Sequence, residues 1–292
     1  MLGVTVVFGL HYIIAKSMMP DYLSPLQMVF IRLMGGALLF WIFQRFFIRE
    51  KVERRDLMKL ALCGFVGLTM NVGLFYVGLN YTTPVDASVI HVSNPILVLI
   101  LAAILLKEKI TALKLSGIVL GISGSLILIL WGRHLQLGGQ TALGNVLVTL
   151  NMVCYSLYLV ILKPLVGKYH TMTILKWVSL FGFLCIIPIS FNSMLSITFS
   201  HFDWYGWAAL FYIIVITTFL IYLLINYALK HLTPTTVSYY TYLQPVFAAV
   251  TSVTVGMERI TLPKIIAALL IFTGVYLVTG WKGVRRRTRD EG

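Results

Sequence analysis

The stretch PVDASVIHVSNPILVLILAAILLKEKIT at residues 84–111 has a counterpart 150 residues later, PTTVSYYTYLQPVFAAVTSVTVGMERIT at residues 234–261. Both keep two prolines, a glutamate and an Ile-Thr ending, while the apolar residues between them differ. At this constant offset of 150 residues the identities continue to residues 131 and 281, at Pro84/Pro234, Ser88/Ser238, Pro95/Pro245, Glu108/Glu258, Ile110/Ile260, Thr111/Thr261, Lys114/Lys264, Leu120/Leu270, Gly124/Gly274 and Trp131/Trp281. These ungapped identities indicate an internal duplication.

The composition is that of an integral membrane protein. The chain is 59% hydrophobic and 11% charged, with a mean hydropathy of +0.91, whereas soluble domains carry roughly 25% charged residues. Apolar runs of about 20 residues, the length of one helical crossing, recur along the chain, and they are not the short alternating strands of a barrel. We therefore predict an all-α fold with ten transmembrane helices, at residues 1–18, 24–44, 57–79, 84–106, 112–131, 142–163, 171–190, 205–229, 234–256 and 261–281.

The positive charges follow the loops between these spans. Of the 23 Lys and Arg residues, 18 fall on alternate loops and on the C-terminal tail, four fall on the other loops, and Arg32 lies within a span. The positive-inside rule then predicts that both termini are cytoplasmic, in the inner membrane, with residues 282–292 as a basic tail. Because this bias explains the net charge of +13, we expect no nucleic-acid partner. The first span begins at Met1 without a basic leader, which argues against a removable signal peptide.

The duplication divides the spans into two repeats of five, residues 1–131 and 142–281. Since five is odd, the second repeat enters the membrane in the opposite orientation, which places Glu108 in a cytoplasmic loop and Glu258 in an external one. Inverted-topology repeats are an architecture of transporters, in which the two halves exchange roles as the site opens to either side. We expect each glutamate to cap the following helix at one of two opposite gates.

The paired units P…S…P…(K/M)E(K/R)IT…G and the five-plus-five layout resemble the drug/metabolite transporter superfamily, in particular its ten-span EamA-type members. The resemblance covers essentially the whole chain. It implies that spans 1, 3, 4, 6, 8 and 9 line a central cavity, that spans 5 and 10 are peripheral, and that the protein carries small organic metabolites, often outward.

Two polar strips are the first candidates for substrate contacts. Their members are spaced three residues apart: Ser88, His91 and Asn94 in span 4, and Ser238, Thr241 and Gln244 in span 9. Pro95 or Pro245 follows each strip and deprives a carbonyl, that of His91 or Thr241, of its helical partner. Such a carbonyl must face protein, water or substrate, so the strips either line a cavity or mark kinks satisfied by a neighbouring helix.

Further polar and aromatic candidates lie on the same six spans. They are His11 and Tyr12, Asn71 and Tyr76, Asn151, Tyr155 and Tyr158, Tyr222 and Asn226, and Tyr239 and Tyr242. Of the three tyrosines at 239, 240 and 242, at most two are expected to face the cavity. Aromatic walls suit amino acids, nucleobase-like compounds or other aromatic metabolites. The alternative for each residue is that it serves only as a hydrogen-bonding contact between helices.

Three cations at depth or near span ends also have two interpretations. Arg32 lies inside span 2, and an ionisable residue within a span is expected to have a function. We assign it to gating or structure. The alternative is that its side chain snorkels outward or pairs with a carbonyl. Lys16 and Lys163 end spans 1 and 6, where they either attract an anion or snorkel to the interface.

Several sequence motifs that would indicate ATP hydrolysis, a metal site or a carboxylate proton relay are absent. No carboxylate lies near the middle of a span, no phosphate-binding glycine loop is present, and the cysteines Cys63, Cys154 and Cys185 show no metal-ligand spacing. We therefore predict a secondary carrier without cofactor or metal, working by alternating access on a small organic solute in the lipid bilayer, as a monomer or weak homodimer. The alternatives are a channel or structural membrane subunit and, with less support, an intramembrane enzyme.

Overall fold

The computed structural model describes residues 2–47, 50–130, 140–200, 202–247 and 262–279, which contain helices and no strand. The first half comprises α1 (Leu2–Ser17), α2 (Pro25–Phe47), α3 (Arg54–Gly64), a first π segment (Phe65–Met70), α4 (Asn71–Tyr81), α5 (Pro84–His91), α6 (Asn94–Leu106) and α7 (Ala112–Leu130). The second half comprises α8 (Gln140–Val166), α9 (Thr171–Leu195), α10 (Trp204–Phe211), a second π segment (Tyr212–Leu220), α11 (Ile221–His231), α12 (Pro234–Tyr239), a 3-10 segment (Tyr240–Leu243) and α13 (Leu262–Thr279).

Helices of membrane-spanning length dominate the described chain. Six helical stretches are long and apolar enough to cross a bilayer: Pro25–Phe46, Arg54–Tyr81, Asp86–Leu106, Thr141–Val166, Thr171–Leu195 and Trp204–His231. Shorter apolar helices of 10–17 residues cover Gly3–Ser17, Ala112–Ile127 and Ile265–Val278. This architecture is consistent with the predicted integral membrane protein. Glu258, the end of the predicted ninth span and the tail at 282–292 lie outside the described residues.

Matching sequence signals begin two of the helices. Thr83 precedes Pro84 at the start of α5, and its hydroxyl accepts a hydrogen bond from the amide of Asp86 at 3.1 Å. Thr233 precedes Pro234 at the start of α12 and accepts in the same way from the amide of Thr236 at 3.3 Å. A threonine N-cap followed by proline satisfies one unpaired amide and removes another, so the Thr-Pro pair begins a helix in both halves.

Both halves also break their helices just before a proline. Between α5 and α6, the amides of Val92 and Ser93 bond to carbonyls three residues back, at 3.1 and 3.0 Å. In the second half the tighter 3-10 segment takes this place and ends one residue before Gln244 and Pro245. Proline cannot donate to the preceding turn, and the breaks fall where the sequence predicts them.

The two π segments also occupy related positions, since residues 215–220 of the second correspond to residues 65–70 of the first at the same offset of 150. The second segment is stabilised by Thr217 and Thr218, whose hydroxyls each donate to the Ile213 carbonyl at 2.8 Å. Such wide turns are rare and frequently lie at functional sites. Here the first precedes Asn71 directly and the second ends two residues before Tyr222.

Packing of the helices leaves a space in the middle of the bundle. The extensive contacts join α2 to α9, α4 to α8 and α7 to α13, while α6 contacts both α8 and α12. The crossing of α4 and α8 is close because glycines meet there: a Cβ added at Gly144 would lie 2.8 Å from the Gly78 carbonyl oxygen. The broken helices and α1 surround the remaining space.

Candidate functional site

A cavity with about 800 Å³ of space not filled by atoms, part of it open to solvent, lies between the broken helices. It is lined by α1, α2, α4, α5, α6, α8, α11, α12 and the 3-10 segment. The predicted substrate contacts that line it are His11, Tyr12, Asn71, His91, Asn94, Asn151, Tyr155, Tyr222, Ser238, Thr241 and Gln244. The structure therefore brings together residues from all six spans assigned to the cavity.

The two polar strips meet across this cavity. Asn94 Nδ2 lies 3.4 Å from Thr241 Oγ1, and Asn94 Oδ1 accepts a hydrogen bond from Ser156 Oγ at 3.0 Å. Gln244 lines the cavity without a side-chain hydrogen bond to any described residue. Ser88, one turn before His91, is half-buried and is not part of the lining. The second strip thus contributes all three of its residues, and the first contributes the two nearest the proline.

His91 presents an acceptor at the cavity wall. Its Nδ1 lies 2.8 Å from the Ala87 carbonyl oxygen, which accepts only, so Nδ1 carries the proton and Nε2 of the neutral ring is an acceptor. The rings of Tyr12 and Phe75 meet edge to face beside it, with centroids 5.2 Å from His91 to Tyr12 and 5.8 Å from Tyr12 to Phe75. Polar and aromatic groups therefore share one wall.

Asn71 and Asn151 hold α4 and α8 together beside the cavity. The amide nitrogen of Asn71 donates to the Asn151 backbone carbonyl at 3.1 Å, and that of Asn151 donates to the Asn71 carbonyl at 2.7 Å. Asn151 Oδ1 is buried without a partner among the described residues. This pair serves as interhelical contact and lines the cavity as well, so the two interpretations are not exclusive.

Arg32 points into the bundle and lines the cavity, so the outward-snorkelling alternative does not hold. Its side chain donates to Thr218 Oγ1 at 2.9 Å, to His11 Nε2 at 3.2 Å and to the Tyr76 hydroxyl at 3.2 Å. Gly36 makes room for this arrangement, since a Cβ there would lie 2.8 Å from Thr218 Cγ2. Tyr76, expected to face the cavity, is instead fully buried behind Arg32.

Tyr158 and Asn226 also lie behind the cavity wall. Both are fully buried, and Asn226 Nδ2 donates to the Tyr158 hydroxyl at 3.3 Å and to the Tyr222 carbonyl at 2.8 Å. The Tyr158 ring packs on Gly67. The hydrogen bond between Tyr158 and Asn226 joins α8 to α11, so a contact to solute is not needed to account for these two polar residues inside the bundle.

Tyr240 lines the cavity, and the predicted Tyr239 and Tyr242 do not. Tyr239 is buried with its hydroxyl bonded to the Lys114 carbonyl at 2.7 Å, and Tyr242 packs on Gly121 of α7. Helical spacing could have identified Tyr240, which lies four residues before Gln244 and three after Val237, another lining residue.

Two lysines at the ends of predicted spans bind the carbonyls of helix ends. Lys16 Nζ donates to the carbonyls of Leu79, Asn80 and Thr82, at 2.7, 2.9 and 3.2 Å. Lys163 Nζ donates to the carbonyls of Leu229 and Leu232, the latter at 2.7 Å. These cations satisfy the unpaired carbonyls at the C-terminal ends of α4 and α11, and Leu229 and Leu232 lie 150 residues after Leu79 and Thr82. We call them the Lys16 clamp and the Lys163 clamp.

Glu108 forms an ion pair between two helices. Its Oε1 lies 2.6 Å from Lys114 Nζ, and its Oε2 accepts from the Thr235 hydroxyl at 2.9 Å. The amide of Lys114 is capped by Thr111 Oγ1 at 3.3 Å, so Thr111 takes the capping role expected of Glu108. The group of Glu108, Lys114 and Thr235, named the Glu108 knot, ties the start of α7 to α12.

A second charged group lies between α8 and α9, next to the start of α3. Lys168 Nζ lies 2.7 Å from Asp56 Oδ2 and 2.8 Å from Glu53 Oε2. The hydrogen bonds from Lys168 to Asp56 and then to Glu53 favour its charged form and raise the pKa of Lys168 above its ordinary value. Among the described residues no cluster of His, Cys, Asp or Glu is arranged to hold a metal ion.

Comparison with known proteins agrees with this architecture. The model of the EamA-like transporter family matches residues 1–130 and 142–280. The uncharacterized transporter YyaM of Bacillus subtilis is 27% identical over 238 residues, covering 80% of this chain and 76% of its own. An uncharacterized transporter of Archaeoglobus fulgidus is 25% identical over 261 residues, 88% of each chain.

Two further similarities are more limited. A probable terminal-alkyne amino-acid exporter of Streptantibioticus cattleyicolor is 26% identical over 140 residues, 48% of this chain and 46% of its own. A protein of known crystal structure matches with a TM-score of 0.71 and 14% identity, over 95% of this chain and 98% of its own, which shows a shared fold. With the family model matched along both halves, the chain belongs to the EamA-like transporter family of the drug/metabolite transporter superfamily and is a multi-pass membrane transporter.

Proposed function

We propose that this protein is a secondary carrier that exports a small organic metabolite, an amino acid or an aromatic compound, across the cytoplasmic membrane by alternating access. The observation that carries this proposal is the central cavity, where helix breaks from both halves meet at Asn94 and Thr241. Broken helices with polar groups at the bundle centre are how transporter folds build substrate sites.

The alternating-access mechanism follows from the proposed inverted repeats, residues 1–131 and 142–281, each with five of ten spans. The paired Thr-Pro helix starts, the paired π segments and the paired lysine clamps support this division, as do the two matches of one family model. Because the repeats are inverted, the Lys16 clamp lies at the external end and the Lys163 clamp at the cytoplasmic end, with both termini and the basic tail 282–292 in the cytoplasm.

The substrate class follows from the cavity lining. Tyr12, Phe75, Tyr155, Tyr222 and Tyr240 provide flat apolar surfaces, while hydroxyl and amide groups provide orientation. The name of one relative, a probable terminal-alkyne amino-acid exporter, agrees with an amino acid carried outward. We propose a monomer or weak homodimer in the bilayer that needs no bound cofactor and no nucleic-acid partner.

A counterflow experiment tests the proposal. Ligands from a library of amino acids and aromatic metabolites are first selected by their effect on the unfolding temperature of the purified protein. Proteoliposomes are then preloaded with the unlabelled ligand, and uptake of the labelled ligand is measured. A carrier accelerates labelled uptake after preloading, whereas a channel gives the same uptake with and without preloading, and that result would reject the proposal.

Variants of the two strips locate the substrate contacts. We expect Gln244→Ala and His91→Ala to lower counterflow several-fold with little loss of stability, because a lost hydrogen bond to the solute is worth about 1 kcal/mol. Asn94→Ala should also lower the unfolding temperature, since Asn94 bonds to Ser156 and Thr241. Thr149→Ala, at an exposed position on α8, is the control. Parental counterflow in all three variants would place the site elsewhere.

A further inference from the structure

Arg32 is a buried cation that has no countercharge among the described residues. Its side chain is 4% exposed, and its hydrogen-bond partners Thr218, His11 and Tyr76 are all neutral groups. A buried charge is costly unless it is paired. The described ion pairs involve Glu53, Asp56 and Glu108, and none of the described cavity-lining residues is acidic. The compensating charge is therefore not supplied by this part of the chain.

The guanidinium has donors left over on the side of the cavity. Its Nε and Nη1 groups are occupied by Thr218, His11 and Tyr76, but the two N–H groups of Nη2 have no partner among the described residues, and Arg32 lines the cavity. Arginine only donates, so His11 Nε2 must accept and the proton of His11 lies on Nδ1. That nitrogen is also buried without a partner in the described part of the chain. One wall of the cavity thus presents a positive charge and the remaining N–H groups of Arg32, with the buried Nδ1 donor of His11 behind them.

We propose that Arg32 is the anion subsite of the carrier and that the transported solute bears a carboxylate, which accepts hydrogen bonds from Arg32 Nη2. The inference rests on the proposed function and names the chemical class of its substrate. Charge-assisted hydrogen bonds between guanidinium and carboxylate are among the strongest available to a binding site. The solute neutralises the arginine on binding, so the loaded cavity carries no net charge from this pair.

A carboxylate fits better than a phosphate ester because the described part of the cavity lining has a single fixed cation. Arg32 is the one Lys or Arg among the described lining residues, so a dianionic phosphate group would keep uncompensated charge in the bundle. The rest of the solute has an aromatic neighbour, since the His11 ring, which Arg32 contacts, stacks on Phe75 with centroids 5.7 Å apart. The arrangement fits a monocarboxylate with an apolar or aromatic body.

The test compares acids with their uncharged amides on the purified full-length protein. The probe pairs are 3-phenylpropionate with 3-phenylpropanamide and N-acetyl-L-phenylalanine with N-acetyl-L-phenylalaninamide, in which the blocked amine carries no charge, and phenyl phosphate is the third type of probe. We expect an acid to raise the unfolding temperature at a concentration about tenfold or more below that required of its amide. Amides as effective as acids, or no acid that stabilises the protein, would overturn the proposal. Phenyl phosphate acting at a lower concentration than both acids would overturn the assignment to carboxylates.

Variants then assign the preference to this side chain. Arg32→Gln should abolish the preference for acid over amide, Arg32→Lys should retain part of it, and Arg45→Gln, at an exposed position on the same helix, should leave it unchanged. An arginine with only a structural role gives a different result, in which Arg32→Gln lowers the unfolding temperature and the preference persists. If Arg32→Gln does not fold, the acid and amide comparison on the parent protein remains decisive.

Because these are binding measurements, they separate the inference from the proposed function. Counterflow of a solute together with equal binding of acids and amides would overturn the anion subsite and leave the carrier intact. Acid-selective binding that depends on Arg32, without any counterflow, would retain the subsite and reject the carrier.

Discussion

The two ends of the bundle carry the same lysine clamp but are held together by different interactions. At the Lys16 clamp, α4 lies directly against α8: Gly78 meets Gly144, and the Thr82 hydroxyl donates to Asn145 Oδ1 at 2.6 Å. At the Lys163 clamp, α11 leads into α12, whose Thr235 is tied to the Glu108 knot. Close contact between helix backbones holds one end, and a partly buried ion pair holds the other.

The proposed alternating access requires the two ends to open one at a time. Because the two ends are held by different interactions, each can be weakened separately by mutation. The ion pair between Lys168 and Asp56 belongs to the same end of the bundle as the Lys163 clamp, so this end relies on charged side chains. Under the proposed topology the packed end faces outside and the charged end faces the cytoplasm.

The largest effect is expected from a bulky side chain at the packed end. A Cβ at Gly144 already lies 2.8 Å from the Gly78 oxygen and from the Thr82 amide nitrogen, so Gly144→Leu forces α4 and α8 apart. Overpacking of this kind costs about 1–3 kcal/mol, and we expect counterflow to fall at least about tenfold because this end no longer closes. Gly73→Leu on α4, where a Cβ meets nothing within 4 Å, is the control. Normal counterflow in Gly144→Leu would show that the packed contact is not a gate.

A smaller effect is expected at the charged end. Glu108→Gln removes the ion pair between Glu108 and Lys114, in which the two side chains are 13% and 10% exposed, respectively. This change should weaken the contact at this end by about 1 kcal/mol, which is enough to shift a balanced two-state population several-fold. The reaction of a cysteine at Thr241 with an impermeant thiol reagent measures the shift. Lys114→Met should give the same change, and Lys109→Gln, exposed on the same loop, should give none. Unaltered labelling in both Glu108→Gln and Lys114→Met would show that the Glu108 knot stabilises the fold but does not act as a gate.

Local chemistry made much of the fold predictable. The Thr-Pro pairs at 83–84 and 233–234 begin helices, and Pro95 and Pro245 follow breaks, because these effects act within a few residues of the chain. The polar strips were also identified from spacing along one helix. Residues near a proline break therefore reached the cavity as expected.

Which side chains face the cavity also depends on contacts between helices far apart in the sequence, and the sequence alone did not predict these contacts. Arg32 is held in the bundle by a hydrogen bond that its Nε donates to Thr218, 186 residues away. Tyr158 lies behind the cavity wall, where its hydroxyl accepts a hydrogen bond from Asn226. Tyr242 also lies outside the lining, because its ring packs on Gly121 of α7. No single-helix pattern reports such partners.

The central claim, that the two halves open opposite ends of one cavity, is tested most directly by the two clamps. In a variant without Cys63, Cys154 and Cys185, a reporter cysteine replaces the cavity residue Thr241. Lys16→Met and Lys163→Met keep the packing of the lysine stems but leave the carbonyls at one end unpaired. Labelling from the external side should become faster in Lys16→Met and slower in Lys163→Met, relative to the reporter alone. Changes in the same direction in both variants would contradict alternating access by two inverted halves.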